Sequence, residues 1–502
     1  MSSRAAGFPN GDVTKPTNTP DEFSRRWVRR WKVPGASLAV VERGRPLVVR
    51  SYGYRDREAR LPATPRTVYG LASVTKSFTA LAILRLEEEG RLSTRDPIVK
   101  HLPEFGTPDS RATRRITIHH FLTHTSGLPP LPSVVYTSAR SLAHDPAYDP
   151  RVDRRCGIDT EHAPIDTYEQ MMEFLRTTRY RLLGPPGRYF SYSNEAFGLL
   201  GAVIERASGR THESYLEEEI LRPAGMRSTT FDTGVMLRSP EVTTLYSPKP
   251  TGTRHGLVPS QTWWEEPCLR ACGGLRSNVE DMARYIQIFL DNGRVDGERI
   301  VAAASIRKMT TPHTETFPGL HYGYGVIIRP DYHGTPLVYH SGALPGVSSL
   351  FVVAPRRRLG GVVLTNVAGV RPDLALMSEL NARLGLPLAT PIEAVPKPTE
   401  AETSLREYEG WYGSGEGTWF EVKALRHGLW FDFHGIAGKL RGLRLRPAGH
   451  DRFVFRLGGQ DDQVQFKRDQ RGRLWAVFRH WRLVRHRAAR DFARARKRTP
   501  VW

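Results

Sequence analysis

A serine and a lysine three residues apart open a run that is almost uniformly apolar. From Ser73-Val74-Thr75-Lys76 the chain continues Ser77-Phe78-Thr79-Ala80-Leu81-Ala82-Ile83-Leu84-Arg85-Leu86 and becomes charged at Glu87-Glu88-Glu89, before Gly90. The pattern predicts a helix of about three to four turns whose first half is buried on every side, because a solvated helix would carry a polar stripe. Positions i and i+3 share a helix face, with Cβ atoms about 5–6 Å apart. A lysine facing inward there is costly, since burying an ammonium costs more than one hydrogen bond returns. Its use would be to lose its proton. Desolvation lowers a lysine from about 10.4, and a neutral amine beside a serine is a general base. Taken alone, S-x-x-K also fits Ser73 as an N-cap and Lys76 as a snorkelling residue of the first turn.

The chain of 502 residues is too long for one core, so two or three domains are expected. With 39% hydrophobic and 10% aromatic residues it reads as a soluble globular protein. No apolar run reaches membrane-spanning length, and the first 35 residues hold Arg pairs but no apolar core of a secretory signal. Cys156, Cys268 and Cys272 cannot form a disulfide framework, and Cys268 and Cys272 have no second Cys or His pair at metal spacing. Buried thiols, no metal, no cofactor and a cytoplasmic location are the expectations. The net charge is +21, and residues 401–502 alone carry 22 Lys and Arg against 11 Asp and Glu. Such a charge attracts polyanions. With no nucleic-acid-binding motif beside it, a solubilising surface is the preferred reading.

Residues 1–22 read as a disordered leader and 23–386 as the main domain. Within it a helical stretch at 24–31 precedes a β-hairpin over 36–53. Helices follow the Ser73 run at Thr117–Thr123, Thr167–Thr178, Glu195–Ser208 and Asn278–Asn292. Two long stretches, 129–166 and 234–266, read as polar surface loops. Runs at Tyr322–Ile328, Val338–His340, Gly346–Ala354 and Gly360–Asn366 read as strands, and about Asp373–Leu384 as a last helix. Strands, helices, then strands again give an α+β class: an antiparallel sheet flanked by helices, with a helical insertion. A Pro-rich linker at 387–401 leads to a period-two region over 402–485, read as a small antiparallel β-barrel, lipocalin-like. The basic tail is 486–502.

Two further clusters complete the pattern: Tyr192-Ser193-Asn194, directly before an apolar helix, and His340-Ser341-Gly342, ending one β-run. With S-x-x-K, in this order and on these elements, the chain resembles the serine β-lactamases and DD-peptidases of the penicillin-recognising fold. The likeness is to their class C-like branch, with its esterase and D-aminopeptidase relatives. It covers about residues 24–385 and includes Phe121-Leu122-Thr123-His124-Thr125-Ser126-Gly127-Leu128 and Gly273-Gly274-Leu275-Arg276-Ser277.

The resemblance implies a serine hydrolase working through an acyl-enzyme. Ser73 would be the nucleophile, Lys76 would take or share its proton, and Tyr192 would carry that proton to the leaving group. Asn194 would hold the substrate carbonyl side and orient Lys76. His340 and Gly342 would line the substrate strand, where a side chain at 342 would block the substrate. The N–H groups of Ser73 and Ala343 would form the oxyanion hole. Many β-lactamases of the fold have K-T-G where this chain has His340-Ser341-Gly342, and a histidine is mostly neutral at pH 7. That weakens the case for a substrate carboxylate. Small peptides or amides, including those with D-residues, or small esters are therefore the preferred substrates. β-Lactamase or DD-carboxypeptidase activity is the alternative, and an inactive scaffold or a nucleic-acid-binding protein the alternatives of another class. The appended β-domain reads as a flap over the pocket or a homo-oligomer contact, and no membrane partner is expected.

Overall fold

The computed structural model describes residues 19–486 apart from 156–157, 249–255, 394, 400–404, 415–418, 426–427, 436–437, 450, 458–459, 469–471 and 479–480. The expected leader up to residue 18, Cys156 and the basic tail beyond His486 lie outside the described residues.

The apolar runs at the two ends of the main domain meet in one nine-stranded antiparallel sheet. Its order is Thr314–Phe317, Leu320–Tyr322, Ile327–Tyr332, Thr335–Leu344, Val347–Ala354, Leu359–Thr365, Gly35–Glu42, Arg45–Asp56 and Leu61–Pro62. The strand near the start pairs with one far later in the chain, Ala36 opposite Thr365. Successive side chains of a strand point to opposite faces. Leu38 and Val40 accordingly join one core, with Leu376 and Leu380 of helix Pro372–Leu384, while Ala39 and Val41 join the other. That second and larger core holds helices Thr75–Glu88 and Val279–Leu290 and the helical insertion, including Asn194–Ser208. The α+β architecture read from the sequence is the one observed.

The two stretches read as surface loops are not loops throughout. Residues 129–166 carry short helices at Ser133–Thr137, Ala139–Leu142 and Pro150–Arg155, and Leu131, Tyr136, Ile158 and Ile165 enter the main core. Each short turn supplies one or two anchors, so no period shows in the sequence. Residues 234–266 begin inside helix Thr233–Leu237 and hold the hairpin Leu245–Pro248 with Leu257–Ser260. Trp263 there packs against Ala72, Leu245 and Val347.

The C-terminal region is a closed antiparallel barrel of eight described strands, whose first, Gly410–Gly413, pairs with its last, Trp481–His486. Tyr412, Phe420, Phe431, Phe455 and Phe466 fill it. Those two closing strands carry no clear alternation, one being bounded by glycines and the other broken by adjacent Leu483 and Val484, so the sequence pattern misses both. Trp475 and Val477 of the barrel wall pack on Phe317, Leu320 and Tyr189. The barrel therefore docks on the hairpin and the turn that lead to Tyr322 and Tyr192.

Candidate active site

Ser73 lies in a 3-10 turn, Ala72–Val74, at the root of helix Thr75–Glu88. Ala72 has φ of 48°, the left-handed region that side-chain-bearing residues seldom adopt, so the surroundings must hold the turn in place. They do so from several directions. Leu71 N–H donates to the Leu275 carbonyl at 2.9 Å, and Ser349 Oγ donates to the Leu71 carbonyl at 2.7 Å. Leu275 N–H donates in turn to Thr75 Oγ1 at 3.2 Å. The helix is buried all round as expected, which its polar residues tolerate by bonding inward. Ser77 Oγ donates to the Val74 carbonyl at 2.7 Å, and Thr79 Oγ1 to the Ala271 carbonyl at 2.6 Å.

Lys76 is fully buried, and its ammonium spends all three hydrogens. Nζ donates to Ser73 Oγ at 3.2 Å, to Asn194 Oδ1 at 2.9 Å and to the Cys272 carbonyl at 2.9 Å. It also stands 4.8 Å from the centroid of the Tyr192 ring, a cation–π contact. Burial pushes the lysine down, but the acidic groups of Cys272, Tyr192 and Glu266 outweigh it and raise Lys76 above its ordinary value, a direction opposite to the expected neutral amine. Tyr192 is fully buried by the same surroundings. Burial raises its phenol, while hydrogen bonds to Lys76 and Ser73 and the lysine's charge pull against the rise.

Tyr192 and Asn194 flank Ser193, which caps helix Asn194–Ser208 by accepting from Ala196 N–H at 3.2 Å. Asn194 is thereby free to face Lys76. Beneath the turn lies a residue the motif does not contain. Glu195 is fully buried and accepts from Ser193 Oγ at 2.7 Å and from Ser133 Oγ. Burial raises its carboxyl, against both hydroxyls.

His340 reaches the same cluster through a chain of hydrogen bonds. Ser193 N–H donates to His124 Nδ1 at 3.1 Å, so the His124 proton sits on Nε2 and points to Tyr322 Oη at 3.3 Å. Tyr322 Oη shares a second hydrogen bond with His340 Nε2 at 2.9 Å, and His340 Nδ1–H donates to the Ser341 carbonyl at 2.7 Å.

Gly342 is required for a different reason from the expected one. A Cβ there would lie 2.1 Å from the Leu71 carbonyl oxygen and 2.4 Å from Ser349 Oγ. The missing side chain lets the strand press against the nucleophile turn, rather than clearing a path for substrate. Ala343, the next residue, is exposed. Strand Ile327–Tyr332 pairs with Thr335–Leu344 only as far as Tyr339, so residues 340–344 keep a strand edge with no partner strand among the described residues. All seven sequence-nominated residues lie on the nucleophile turn and helix, the 192–194 turn, or this edge.

Glu266 is the other residue that no motif announced. It is 6% exposed, and Oε1 accepts from Ser138 Oγ at 3.1 Å. Oε2 and the Ala72 carbonyl carbon each lie 3.9 Å from the point where a Cβ on Gly273 would stand. Burial raises its carboxyl to about 7, with Ser138, Lys76 and Arg276 pulling it down. Trp263 and Trp264 are chiefly packing and scaffold groups, Trp264 Nε1 donating to Asp145 at 2.9 Å. No cluster of three or more His, Cys, Asp or Glu suited to a metal occurs among the described residues, and no described helix is long and apolar enough to cross a membrane.

A helix-flanked antiparallel sheet with a serine and a lysine at the root of a buried helix, closed by a Tyr-x-Asn turn and an open strand edge, defines a class. The chain belongs to the Beta-lactamase family, whose model matches residues 23–385. It is similar in structure to the octameric penicillin-binding protein homologue from Pyrococcus abyssi, at 30% identity and TM-score 0.64, over 92% of this chain and 98% of that one. It shares its fold with SurE, at 24% identity and TM-score 0.69, over 93% of this chain and 98% of that one. Among curated sequences it is similar to Protein flp of Staphylococcus aureus (strain MW2), 28% identical over 350 residues. That match covers 68% of this chain and 61% of the relative's length.

Proposed function

We propose that the chain is a serine hydrolase that forms an acyl-enzyme on Ser73 and acts on small peptides, amides or esters, D-residue substrates included. One observation carries the reading: a buried Lys76 ammonium whose three hydrogens go to Ser73 Oγ, Asn194 Oδ1 and the Cys272 carbonyl. A structural lysine has no need of a hydroxyl placed at a solvent-reachable turn. In the proposed reaction Ser73 Oγ bonds to the substrate carbonyl carbon, and its proton passes into the Tyr192–Lys76 pair. To take that proton the pair must hold one proton fewer than a Lys76 ammonium plus a Tyr192 phenol, and because the two titrate as a unit either group can be the immediate base. The carbonyl oxygen becomes an oxyanion held by the N–H groups of Ser73 and Ala343. The C–N or C–O bond then breaks, and the leaving group takes the proton from Tyr192. Water, deprotonated by the same pair, opens the ester and restores Ser73.

The family fold, rather than an activity known for a close relative, supports this chemistry. β-Lactam hydrolysis and DD-carboxypeptidase activity use the same steps, but a histidine at 340 is a weaker partner for a substrate carboxylate than the permanent cation of a lysine, which favours the peptidase and esterase reading. The octameric homologue supports a homo-oligomer for this chain as well. Intact-mass spectrometry after treatment with a fluorophosphonate is the direct test. Wild type is expected to gain one adduct, Ser73→Ala none, with ester turnover falling by roughly 10⁴–10⁶. An adduct that persists in Ser73→Ala removes the assignment.

A further inference from the structure

Each charged group around Ser73 can be accounted for except one. The Lys76 ammonium is fully committed, and His340 is hydrogen-bonded to Tyr322 and to the Ser341 carbonyl. Arg276, 3% exposed, donates to the Phe231 carbonyl at 2.7 Å and to Glu265 Oε1 at 2.9 Å. Glu266 remains. Its Oε1 is bound by Ser138, while Oε2 has no hydrogen-bond partner among the described residues. That oxygen and the Ala72 carbonyl carbon, the atom bonded to Ser73 nitrogen, each lie 3.9 Å from the point where a Cβ on Gly273 would stand, which puts the carboxylate beside the Ser73 turn.

We propose that Glu266 is a specificity-determining residue that receives a primary ammonium on the acyl part of the substrate, so that the preferred substrates are aminoacyl amides and esters with a free amino group. The proposal rests on the serine hydrolase reading above and deepens it. A buried carboxylate with one unused oxygen carries an uncompensated cost that an incoming ammonium removes, by a charge-assisted hydrogen bond. Lys76 and Arg276 act on it through their charge, but neither hydrogen-bonds to it among the described residues. An N-acylated substrate would instead set an amide against that oxygen and forfeit the charge pair. Such a contact is worth roughly tenfold to a hundredfold in kcat/KM.

The titratable groups facing Glu266 are Lys76 on the Ser73 helix, Arg276 and Glu265 on the segments either side of Gly273, and the thiols Cys268 and Cys272. With its carboxyl raised to about 7, Glu266 loses its charge as pH falls through neutrality. The preference for the free amine must then fall as pH goes from 7.5 to 6, while the amine itself stays protonated.

The experiment compares D- and L-alanine p-nitroanilide with their N-acetyl derivatives, on full-length wild type, Glu266→Gln and Glu266→Asp, with fluorophosphonate labelling of Ser73 run alongside. Expected are a wild-type preference of at least tenfold for the free amine, a decline of that preference below pH 7, and a loss in Glu266→Gln that falls mainly on KM of the aminoacyl substrate. Glu266→Asp should recover part of it. Equal losses on both substrates in Glu266→Gln would overturn the proposal, since they would mark a general or structural role. So would a wild type that labels at Ser73 yet shows no preference for the free amine, which leaves the hydrolase reading standing. Should Glu266→Gln fail to fold, the wild-type pH profile decides alone. Absence of labelling at Ser73 removes the underlying reading itself.

Discussion

Lys76 shows how a single side chain takes its charge state from its neighbours. Removed from water it would shed a proton, and the sequence invites that conclusion because the acids that oppose it come from two distant segments. Tyr192, Glu266 and Cys272 reach it only once the chain is folded. The motif residues Ser73, Lys76, Tyr192 and Asn194 were legible since their spacing and order are themselves the signal. Glu266, Tyr322 and Glu195 were not, because each is one polar residue in an unremarkable local sequence whose meaning lies in what it faces. The geometry at Nζ makes a sharp prediction. Three acceptors at 2.9–3.2 Å surround it, an arrangement suited to a compact ammonium and not to a planar guanidinium. Lys76→Arg keeps the charge but is expected to lower the acylation rate by roughly 10²–10⁴, the usual range for a displaced proton-transfer group. Pre-steady-state burst kinetics with a p-nitrophenyl ester would measure it. Activity retained within threefold would mean that only the positive charge matters.

At the scale of elements, the site is where a helix, a turn and a strand are forced together, and glycines mark the points of contact. The run Tyr322–Ile328 reads as one strand in sequence but is split between Leu320–Tyr322 and Ile327–Tyr332. Gly325, at φ of 66°, makes the bend, and a Cβ there would lie 2.5 Å from the Lys76 carbonyl oxygen. Apolar periodicity identified the helices and central strands because burial on one or both faces writes itself into the residue pattern. It carries no information about where one backbone touches another. Gly342 is the most exacting of these contacts. Gly342→Ala would drive a methyl into the Leu71 carbonyl and Ser349 Oγ, both fixed by the bond between them. The strand must then retreat from the nucleophile turn. The expected outcome is a destabilisation of about 1–3 kcal/mol in urea unfolding, with a larger fractional loss in acylation than in stability, because the two N–H groups proposed to hold the oxyanion, of Ser73 and Ala343, separate. Normal acylation in a destabilised Gly342→Ala would remove this strand from the oxyanion hole.

For the whole molecule, the barrel closes around its own aromatic interior, and Trp475 and Val477 of its wall pack on Phe317 of the main domain. The main domain contains two histidines whose burial matters beyond their neighbourhood. His212 is fully buried, neither ring nitrogen has a hydrogen-bond partner, and burial lowers it to about 4. His119, bonded through Nδ1 to Tyr324 Oη at 2.8 Å, is also lowered to about 4, by burial first and then by the charges of His313, His120 and Lys308. A histidine whose folded value lies below its unfolded value of about 6.5 leaves the unfolded chain with the greater proton uptake between the two. Stability is therefore complete above pH 6.5 and declines as pH falls toward 4, each residue contributing up to about 1.4 kcal/mol per pH unit. Chemical denaturation of the main-domain transition at pH 7 and pH 5 should show the histidine contribution, and His212→Leu should reduce it while improving stability at pH 5 relative to wild type. A slope unchanged in His212→Leu would mean that water or a local opening already solvates this ring, so that burial of the insertion, on which the position of Asn194–Ser208 and hence of Tyr192 depends, is looser than the packing of His212 against Phe231 implies.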